Sequence, residues 1–142
     1  MTHARMWDLV VPCAHDSITF KLKNYLPDPV KRVIKTQNKT IADQLSMGVR
    51  EFDIRICKYW RDLSSPEEIW TSHTALCQPL NDVLKVLKEF ITVNQSEIII
   101  INVKADTTPI NLDQFTDGRE IVKAFDTYDR HYRSDIIKYI YD

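Results

Sequence analysis

Glycine is scarce in this sequence: two occur among 142 residues, whereas average usage would give about ten. A phosphate-binding loop built from several glycines is therefore excluded, and side chains must hold any bound phosphate. Cysteine is also scarce. The three present, Cys13, Cys57 and Cys77, are an odd number without metal-type spacing. This favours reduced thiols in an intracellular protein over disulfides or a metal site.

Long apolar runs and an excess of one charge are missing as well. No apolar run approaches the roughly 18 residues of a membrane span, and residues 1–11 show no secretory signal pattern. The net charge of −1 gives no electrostatic reason to expect nucleic acid. We therefore expect no transmembrane segment, no nucleic-acid partner, and a cytoplasmic or peripheral-membrane location. Secretion after removal of a signal is the alternative.

What the sequence does contain is an alternation of strand and helix patterns. A capping box at Thr40 and Asp43 begins one helix and Gly48 ends it. Apolar residues recur at helical spacing after Pro79, and the run EIIIINV is typical of a parallel strand covered on both faces. Strands are predicted at 9–11, 49–57, 69–70 and 97–103, a long loop with one helical turn at 21–39, and helices at 41–47, 80–90, 119–125 and 132–141. This order predicts an α/β fold.

Side chains capable of acid–base chemistry come from the successive predicted strands. The candidates are His15 and Asp16 after the first strand, Asp53 and Arg55 on one face of the second, His73 at the end of the third and Lys104 at the end of the fourth. α/β folds place their active sites at the carboxyl ends of strands. Imidazoles titrate near neutral pH and guanidinium groups bind phosphate oxygens. The set therefore predicts acid–base chemistry on an anionic substrate.

Each candidate also has a purely structural interpretation. Either histidine could be a satisfied structural residue, Lys104 could be a surface lysine, and Asp53 with Arg55 could form a simple ion pair. The ion-pair alternative is weakened by the apolar residues around it, because a buried charge needs a partner or a function. A divalent metal could bind the histidines and aspartates, but the permanent charge of Arg55 favours a metal-free site without a cofactor. Ser17 lacks the Gly-x-Ser-x-Gly context of a nucleophile.

Taken together, these segments resemble the catalytic X domain of phosphatidylinositol-specific phospholipase C in its metal-independent, single-domain form. The resemblance covers about residues 7–105, in order. The matching segments are the His-Asp-Ser motif at 12–17, Thr-Gln at 36–37, Gln-Leu at 44–45, the Gly-Val-Arg-x-Phe-Asp-Ile-Arg motif at 48–55, His73, the helix after Pro79 and Ser-Glu-Ile-Ile-Ile at 96–100. As a set they are specific, although each segment alone is weak.

The resemblance implies a (β/α) TIM-like barrel that cleaves phosphatidylinositol, or a glycosylated form, to diacylglycerol and inositol 1,2-cyclic phosphate without calcium. The implied partner is an inositol phospholipid at a membrane surface. The implied roles are His15 as general base, His73 as general acid, Arg55 as phosphate ligand, Asp53 orienting the arginine or the 2-hydroxyl, Asp16 orienting a histidine and stabilising its charged form, and Lys104 binding the inositol ring.

The chain departs from the family pattern at three positions and in length. Cys13 and Ala14 replace the usual Gly-Thr or Gly-Ser, and Thr74 replaces the glycine of bacterial members. A full barrel needs about 250 residues, so we expect one incomplete domain over residues 1–142, the N-terminal half with about four βα units. A catalytically inactive module that binds inositol phospholipid or a partner, a magnesium-dependent barrel phosphodiesterase acting on glycerophosphodiesters or sphingomyelin, and self-association through unpaired strand edges are the alternatives.

Overall fold

The computed structural model describes residues 10–23, 26–59 and 68–106. In these ranges the elements are β1 (Cys13–Ala14), α1 (Asp28–Ile34), α2 (Ile41–Ser46), β2 (Glu51–Tyr59), β3 (Glu68–His73), β4 (Ala75–Pro79), α3 (Leu80–Val93) and β5 (Ile100–Ala105). The helices predicted at 119–125 and 132–141 lie outside the described residues. No helix in the described ranges is long and apolar enough to cross a bilayer.

The sheet is organised around β2. This strand pairs in parallel with β1 and β5 and antiparallel with β3, which pairs in turn with β4. Helices α1 and α2 lie in the connection from β1 to β2, and α3 lies in the connection from β2 to β5. Parallel neighbours require such crossover connections, and the α/β prediction is confirmed.

The alternating pattern of β2 separates the hydrophobic core from the polar face. Phe52, Ile54 and Ile56 are fully buried in one core cluster. The same cluster contains Ile101 and Val103 of β5, together with apolar residues of α2 and α3. Burial of each such side chain contributes about 1.5–3 kcal/mol. The alternate positions of both strands therefore face away from the helices, and these positions carry the candidate site residues.

The predicted ends of α2 are confirmed. The Thr40 hydroxyl accepts the Asp43 N–H at 3.1 Å, and the Asp43 carboxylate accepts the Thr40 N–H at 3.1 Å, which together form a capping box. These bonds from the Thr40 side chain and backbone hold the pKa of Asp43 below its usual value. Gly48 follows the helix at φ 94°, a left-handed conformation that glycine adopts without a steric cost.

Two predicted strands begin later than their apolar runs. The strand predicted at 9–11 is wrong for its described residues: Val10 is fully exposed, and the pairing with β2 begins after Pro12, which has no N–H to donate. The fourth strand starts at Ile100 rather than Glu97, because the Glu97 N–H donates to the Asn94 carbonyl at 3.0 Å in the turn after α3, and the ladder begins where the Ile100 N–H donates to the Arg50 carbonyl at 2.8 Å. The prediction that this strand is covered on both faces is also wrong, because the side of the strand that faces the site is polar.

The third predicted strand is longer than expected and forms half of an antiparallel hairpin. β3 runs from Glu68 to His73, and β4, which was not predicted, begins at Ala75. Only Thr74 separates the two strands, with φ at 62°. The described residues therefore contain three parallel strands and one antiparallel hairpin rather than four βα units.

Candidate active site

Strand register brings the candidate residues to one face of the sheet. Arg55 of β2 lies directly beside Lys104 of β5, with Asp53 one step earlier on the same face. At the other edge, the Ser17 N–H donates to the Asp53 carbonyl at 3.0 Å, which fixes the turn after β1 against β2. β3 returns antiparallel and ends at His73, whose Nε2 lies 3.1 Å from the Asp16 carboxylate. All six sequence candidates are therefore brought together.

The buried carboxylate of Asp16 is the centre of the site. Its Oδ1 lies 2.8 Å from Arg55 Nε, and its Oδ2 lies 3.1 Å from Nε2 of both His15 and His73. The Arg55 contact is a charge contact rather than an aligned hydrogen bond. Asp16 is only 2% exposed. A carboxylate at this depth needs compensating partners; Arg55 supplies a permanent positive charge, and the two imidazoles supply polar contacts.

A second buried carboxylate, Asp53, flanks the first. Its Oδ2 lies 3.1 Å from His15 Nδ1, and its Oδ1 lies 3.4 Å from Lys104 Nζ. The His15 ring therefore sits between the two carboxylates, while its side chain is 69% exposed. A ring that is held at both nitrogens and open to solvent is accessible to a substrate. The simple Asp53–Arg55 ion pair considered from sequence is replaced by these separate partners.

His73 is held more deeply than His15. Its Nδ1 lies 3.1 Å from the carbonyl oxygen of Ile34, at the end of α1, and its Nε2 faces Asp16. Each ring nitrogen therefore faces an oxygen atom. The side chain is 20% exposed. This arrangement holds the imidazole in a fixed orientation at the edge of the site.

Three side chains from the α1–α2 region hold the turn that carries His15 and Asp16. The Gln37 amide donates to the His15 carbonyl at 2.8 Å, and the Gln44 amide donates to the Ser17 carbonyl at 2.8 Å. The Thr36 hydroxyl donates to the Asp16 carbonyl at 3.3 Å. Sequence analysis noted Thr-Gln and Gln-Leu only as matching segments and assigned them no role. Their amide groups were the available signal, because buried turn carbonyls need donors.

The nucleophilic and thiol side chains have ordinary structural environments. The Ser17 hydroxyl is buried and donates to the Ala14 carbonyl at 2.6 Å. Cys57 and Cys77 are buried free thiols, and Cys13 is exposed and free. Burial raises the pKa of Cys57 to about 11 and that of Cys77 to about 12. Burial and the nearby Glu51 and Asp53 carboxylates raise the pKa of Cys13.

The carboxylates and one imidazole also offer a possible ligand set for a cation. His15, Asp16 and Asp53 each place one ligand atom within 4.8 Å of the others. Two of the carboxylate oxygens, however, already lie against side-chain cations: Oδ1 of Asp16 against Arg55, and Oδ1 of Asp53 against Lys104. A divalent ion would have to compete with these charges. The metal-free site stays a prediction.

Asp106 was missed by the sequence analysis. It directly follows β5 and lies two residues beyond Lys104, so the alternation of side chains places both residues on the same face of the sheet. Asp106 is 2% exposed. Its Oδ2 accepts the Thr74 N–H at 2.8 Å, at the turn after His73. The signal in the sequence was the period of two, which places residues 104 and 106 on one face.

Comparisons with known proteins agree with this geometry. The family model for phosphatidylinositol-specific phospholipase C, X domain, matches residues 9–124. The 1-phosphatidylinositol phosphodiesterase of Staphylococcus aureus (strain Newman) is 29% identical over 129 residues, which cover 88% of this chain and 36% of that protein. A PI-PLC X domain-containing protein of Dictyostelium discoideum is 30% identical over 97 residues, covering 59% of this chain and 16% of that protein.

Solved structures give the same relationship. A double mutant of the phosphatidylinositol-specific phospholipase C from S. aureus superposes with a TM-score of 0.66 at 28% identity, covering 87% of this chain and 38% of that one. The phospholipase C of the same specificity from Listeria monocytogenes, at 20% identity and a TM-score of 0.61, shares the fold. These neighbours are TIM barrels, and this chain forms an α/β half-barrel. It spans little more than a third of the length of these bacterial proteins. The chain belongs to the phosphatidylinositol-specific phospholipase C X-domain family.

Proposed function

We propose that this chain carries the acid–base site of a calcium-independent phosphodiesterase that cleaves phosphatidylinositol, or a glycosylated form of it. The observation that carries the proposal is the contact of one buried carboxylate, Asp16, with both histidines and with Arg55. Two imidazoles at one carboxylate oxygen and a guanidinium at the other are groups that can move two protons beside a bound phosphate. The relatives named as phosphatidylinositol phosphodiesterases support this substrate class.

The proposed reaction is an internal transfer at phosphorus. His15 takes the proton of the inositol 2-hydroxyl as that oxygen forms a bond to phosphorus, and His73 protonates the diacylglycerol oxygen as its bond to phosphorus breaks. The products are inositol 1,2-cyclic phosphate and diacylglycerol. Attack from a neighbouring hydroxyl gains from proximity. Both rings face an oxygen atom at each nitrogen, and they differ in exposure: the His15 side chain is 69% exposed and open to substrate, whereas the His73 side chain is 20% exposed.

The cationic side chains complete the proposed site. Arg55 stabilises the charge that develops on the phosphate oxygens, and Asp16 holds Nε of that guanidinium in place. Asp53 orients His15 and keeps Lys104 over the site, where the ammonium group binds inositol hydroxyls. This assignment gives Asp53 a histidine partner in place of the arginine that the resemblance implied.

A lipid surface is the proposed location of the substrate. Helix α1 ends beside His73, and it exposes Val33 at 85% and Val30 at 41%. The same short helix carries Lys31 and Arg32 in its last turn. Exposed apolar residues among basic ones suit the headgroup region of a membrane with anionic lipids.

The test is phosphorus NMR of phosphatidylinositol vesicles incubated with the protein in EDTA. We expect an inositol cyclic phosphate signal from the unmodified chain and its loss in His15→Ala. Lys85→Ala, at an exposed position of α3, is the control and should keep the signal. A signal that survives His15→Ala would overturn the mechanism, and one that appears only after calcium is added would overturn calcium independence.

A catalytically inactive lipid-binding module is the second candidate, because the chain covers only 36% of the S. aureus enzyme. Under this alternative, the folded protein binds phosphatidylinositol vesicles without turnover, and Arg55→Ala abolishes that binding. Sedimentation with vesicles separates the two candidates. A folded protein that neither cleaves nor binds would exclude both.

A further inference from the structure

The residue after each histidine of the site has a left-handed backbone. Asp16 has φ at 45° and Thr74 has φ at 62°, and these are the non-glycine residues with positive φ in the part of the chain that the structure describes. Aspartate tolerates this region, but a β-branched residue such as threonine is a true outlier there. Such strain persists only where surrounding contacts impose it. The turn at Thr74 therefore needs an anchor.

Asp106 supplies an anchor from a different strand. Its backbone N–H donates to the Ile56 carbonyl at 2.9 Å, which attaches Asp106 to the end of the β2–β5 ladder. Its buried carboxylate then accepts the Thr74 N–H at 2.8 Å. A charged acceptor makes this bond stronger than a neutral one. The hairpin turn after His73 is thus fixed to the rigid parallel part of the sheet.

We infer that Asp106 is a positioning residue that holds His73 in its working place by anchoring the Thr74 backbone. The inference rests on the proposed function, in which His73 is the general acid. His73 makes its two contacts at 3.1 Å each, to the Ile34 carbonyl and to Asp16. A displacement of about 1 Å would break both, and misplacements of that size cost about 100-fold in rate. In this role Asp106 acts on the reaction through the Thr74 backbone.

A double-mutant experiment tests this inference. Glycine adopts φ near 62° without strain, so Thr74→Gly should make the anchor dispensable. We expect Asp106→Ala to lower kcat about 10–100-fold, the usual effect of losing a supporting residue, with KM changed less than about twofold. Thr74→Gly with Asp106→Ala should recover most of that loss. Asp106→Asn keeps an acceptor oxygen for the Thr74 N–H and should stay close to the unmodified chain.

The ¹⁵N resonances of the His73 ring provide a readout that needs no turnover. Their chemical shifts should change in Asp106→Ala and should match those of the unmodified chain in Asp106→Asn and in the double variant. If the chain does not cleave phosphatidylinositol, the proposed function fails, but these resonances still decide the role of Asp106. A fall in kcat or a change in the His73 resonances as large in Asp106→Asn as in Asp106→Ala would overturn the inference. The inference would also be overturned if the double variant recovered neither signal relative to Asp106→Ala. If Asp106→Ala does not fold, Asp106→Asn and the double variant carry the same test.

Asp43→Ala is the matched control for this experiment. Asp43 is also a carboxylate that accepts a backbone N–H, from Thr40 at 3.1 Å, but it is exposed at the start of α2 and outside the site. Its replacement should lower the midpoint of thermal unfolding while kcat and the His73 resonances stay unchanged. If Asp43→Ala moved those signals as Asp106→Ala does, the effect would be general destabilisation, and the positioning role would be wrong.

Discussion

Asp16 and Arg55 form a charge pair in which the carboxylate is buried and the guanidinium reaches the surface of the site. Asp16 Oδ1 lies 2.8 Å from Arg55 Nε, and the side chains are 1% and 29% exposed. The pair joins the turn after β1 to the middle of β2. It leaves the outer part of the guanidinium available to an anion, and it brings a negative charge under both histidines.

Replacement of this carboxylate should damage both stability and catalysis. Asp16→Asn keeps the shape but removes the charge shared by Arg55 and the two imidazoles. We expect the free energy of unfolding to fall by about 1–3 kcal/mol and kcat to fall at least about 100-fold, measured by urea denaturation and by release of cyclic phosphate. Combination with Arg55→Ala in a double-mutant cycle should give strongly non-additive losses. Additive losses would contradict a functional pair.

Arg55→Lys should show whether the cation acts only as a point charge. Lysine keeps the positive charge but loses the planar fork that contacts Asp16 and the phosphate together. We expect kcat to fall about 10–100-fold on phosphatidylinositol vesicles, with the protein still folded by circular dichroism. Lys58→Arg, at a half-buried position of the same strand, serves as a matched exchange and should have little effect. Full activity in Arg55→Lys would contradict a role for the guanidinium beyond its positive charge.

The amide of Gln44 should contribute more to stability than that of Gln37. Gln44 is buried, and its amide donates to the carbonyls of Ser17 and Lys39 at 2.8 and 2.9 Å. Gln37 donates to His15 from a half-buried position. Loss of a buried donor leaves a carbonyl without a hydrogen bond, which lowers the free energy of unfolding by about 1–3 kcal/mol. Urea denaturation of Gln44→Ala and Gln37→Ala should show the larger loss in the former, and equal losses would contradict this ranking.

The buried thiols predict a loss of stability in alkaline solution. Burial raises the pKa of Cys57 from 9.0 to about 11. As pH rises, this thiol therefore ionises at a lower pH in the unfolded chain than in the folded chain. The contribution of Cys57 to the free energy of unfolding is fully present below about pH 9 and is lost progressively as pH rises towards 11. Two pKa units correspond to about 2–3 kcal/mol. Denaturation measured from pH 8 to 11 should show that the free energy of unfolding falls less with rising pH in Cys57→Ala than in the unmodified chain. An equal fall in both proteins would exclude Cys57 as the cause.

Thiol labelling checks the same environments directly. An alkylating reagent at pH 8 should modify Cys13 and leave Cys57 and Cys77 unmodified in the folded protein. The raised pKa of Cys13 should make its reaction slower than that of an ordinary exposed thiol and faster with rising pH. Mass spectrometry after a time course gives both results. Rapid modification of Cys57 or Cys77 would contradict their burial.

Much of the fold and the choice of candidate site residues follow from local patterns. The period of two in β2 separates Asp53 and Arg55 from the core, and that separation is confirmed. The capping box at Thr40 and the glycine at position 48 define the ends of α2, because hydrogen bonds and φ limits act over a few residues. The start of the first strand could not be read in this way, because its pairing partner and Pro12 decide where the ladder begins.

The amino-acid sequence by itself determined the α/β class, the amphipathic faces and the set of candidate site residues, because periodicity, capping and side-chain type are local properties. Only the tertiary structure decided which of those residues contact one another. In the tertiary structure β3 and β4 pair as an antiparallel hairpin, and Arg55 contacts Asp16 rather than Asp53. Asp106 accepts a hydrogen bond from the Thr74 N–H. These relationships depend on strand register and on buried charges finding partners from distant segments, and a single sequence does not contain that geometry in local form.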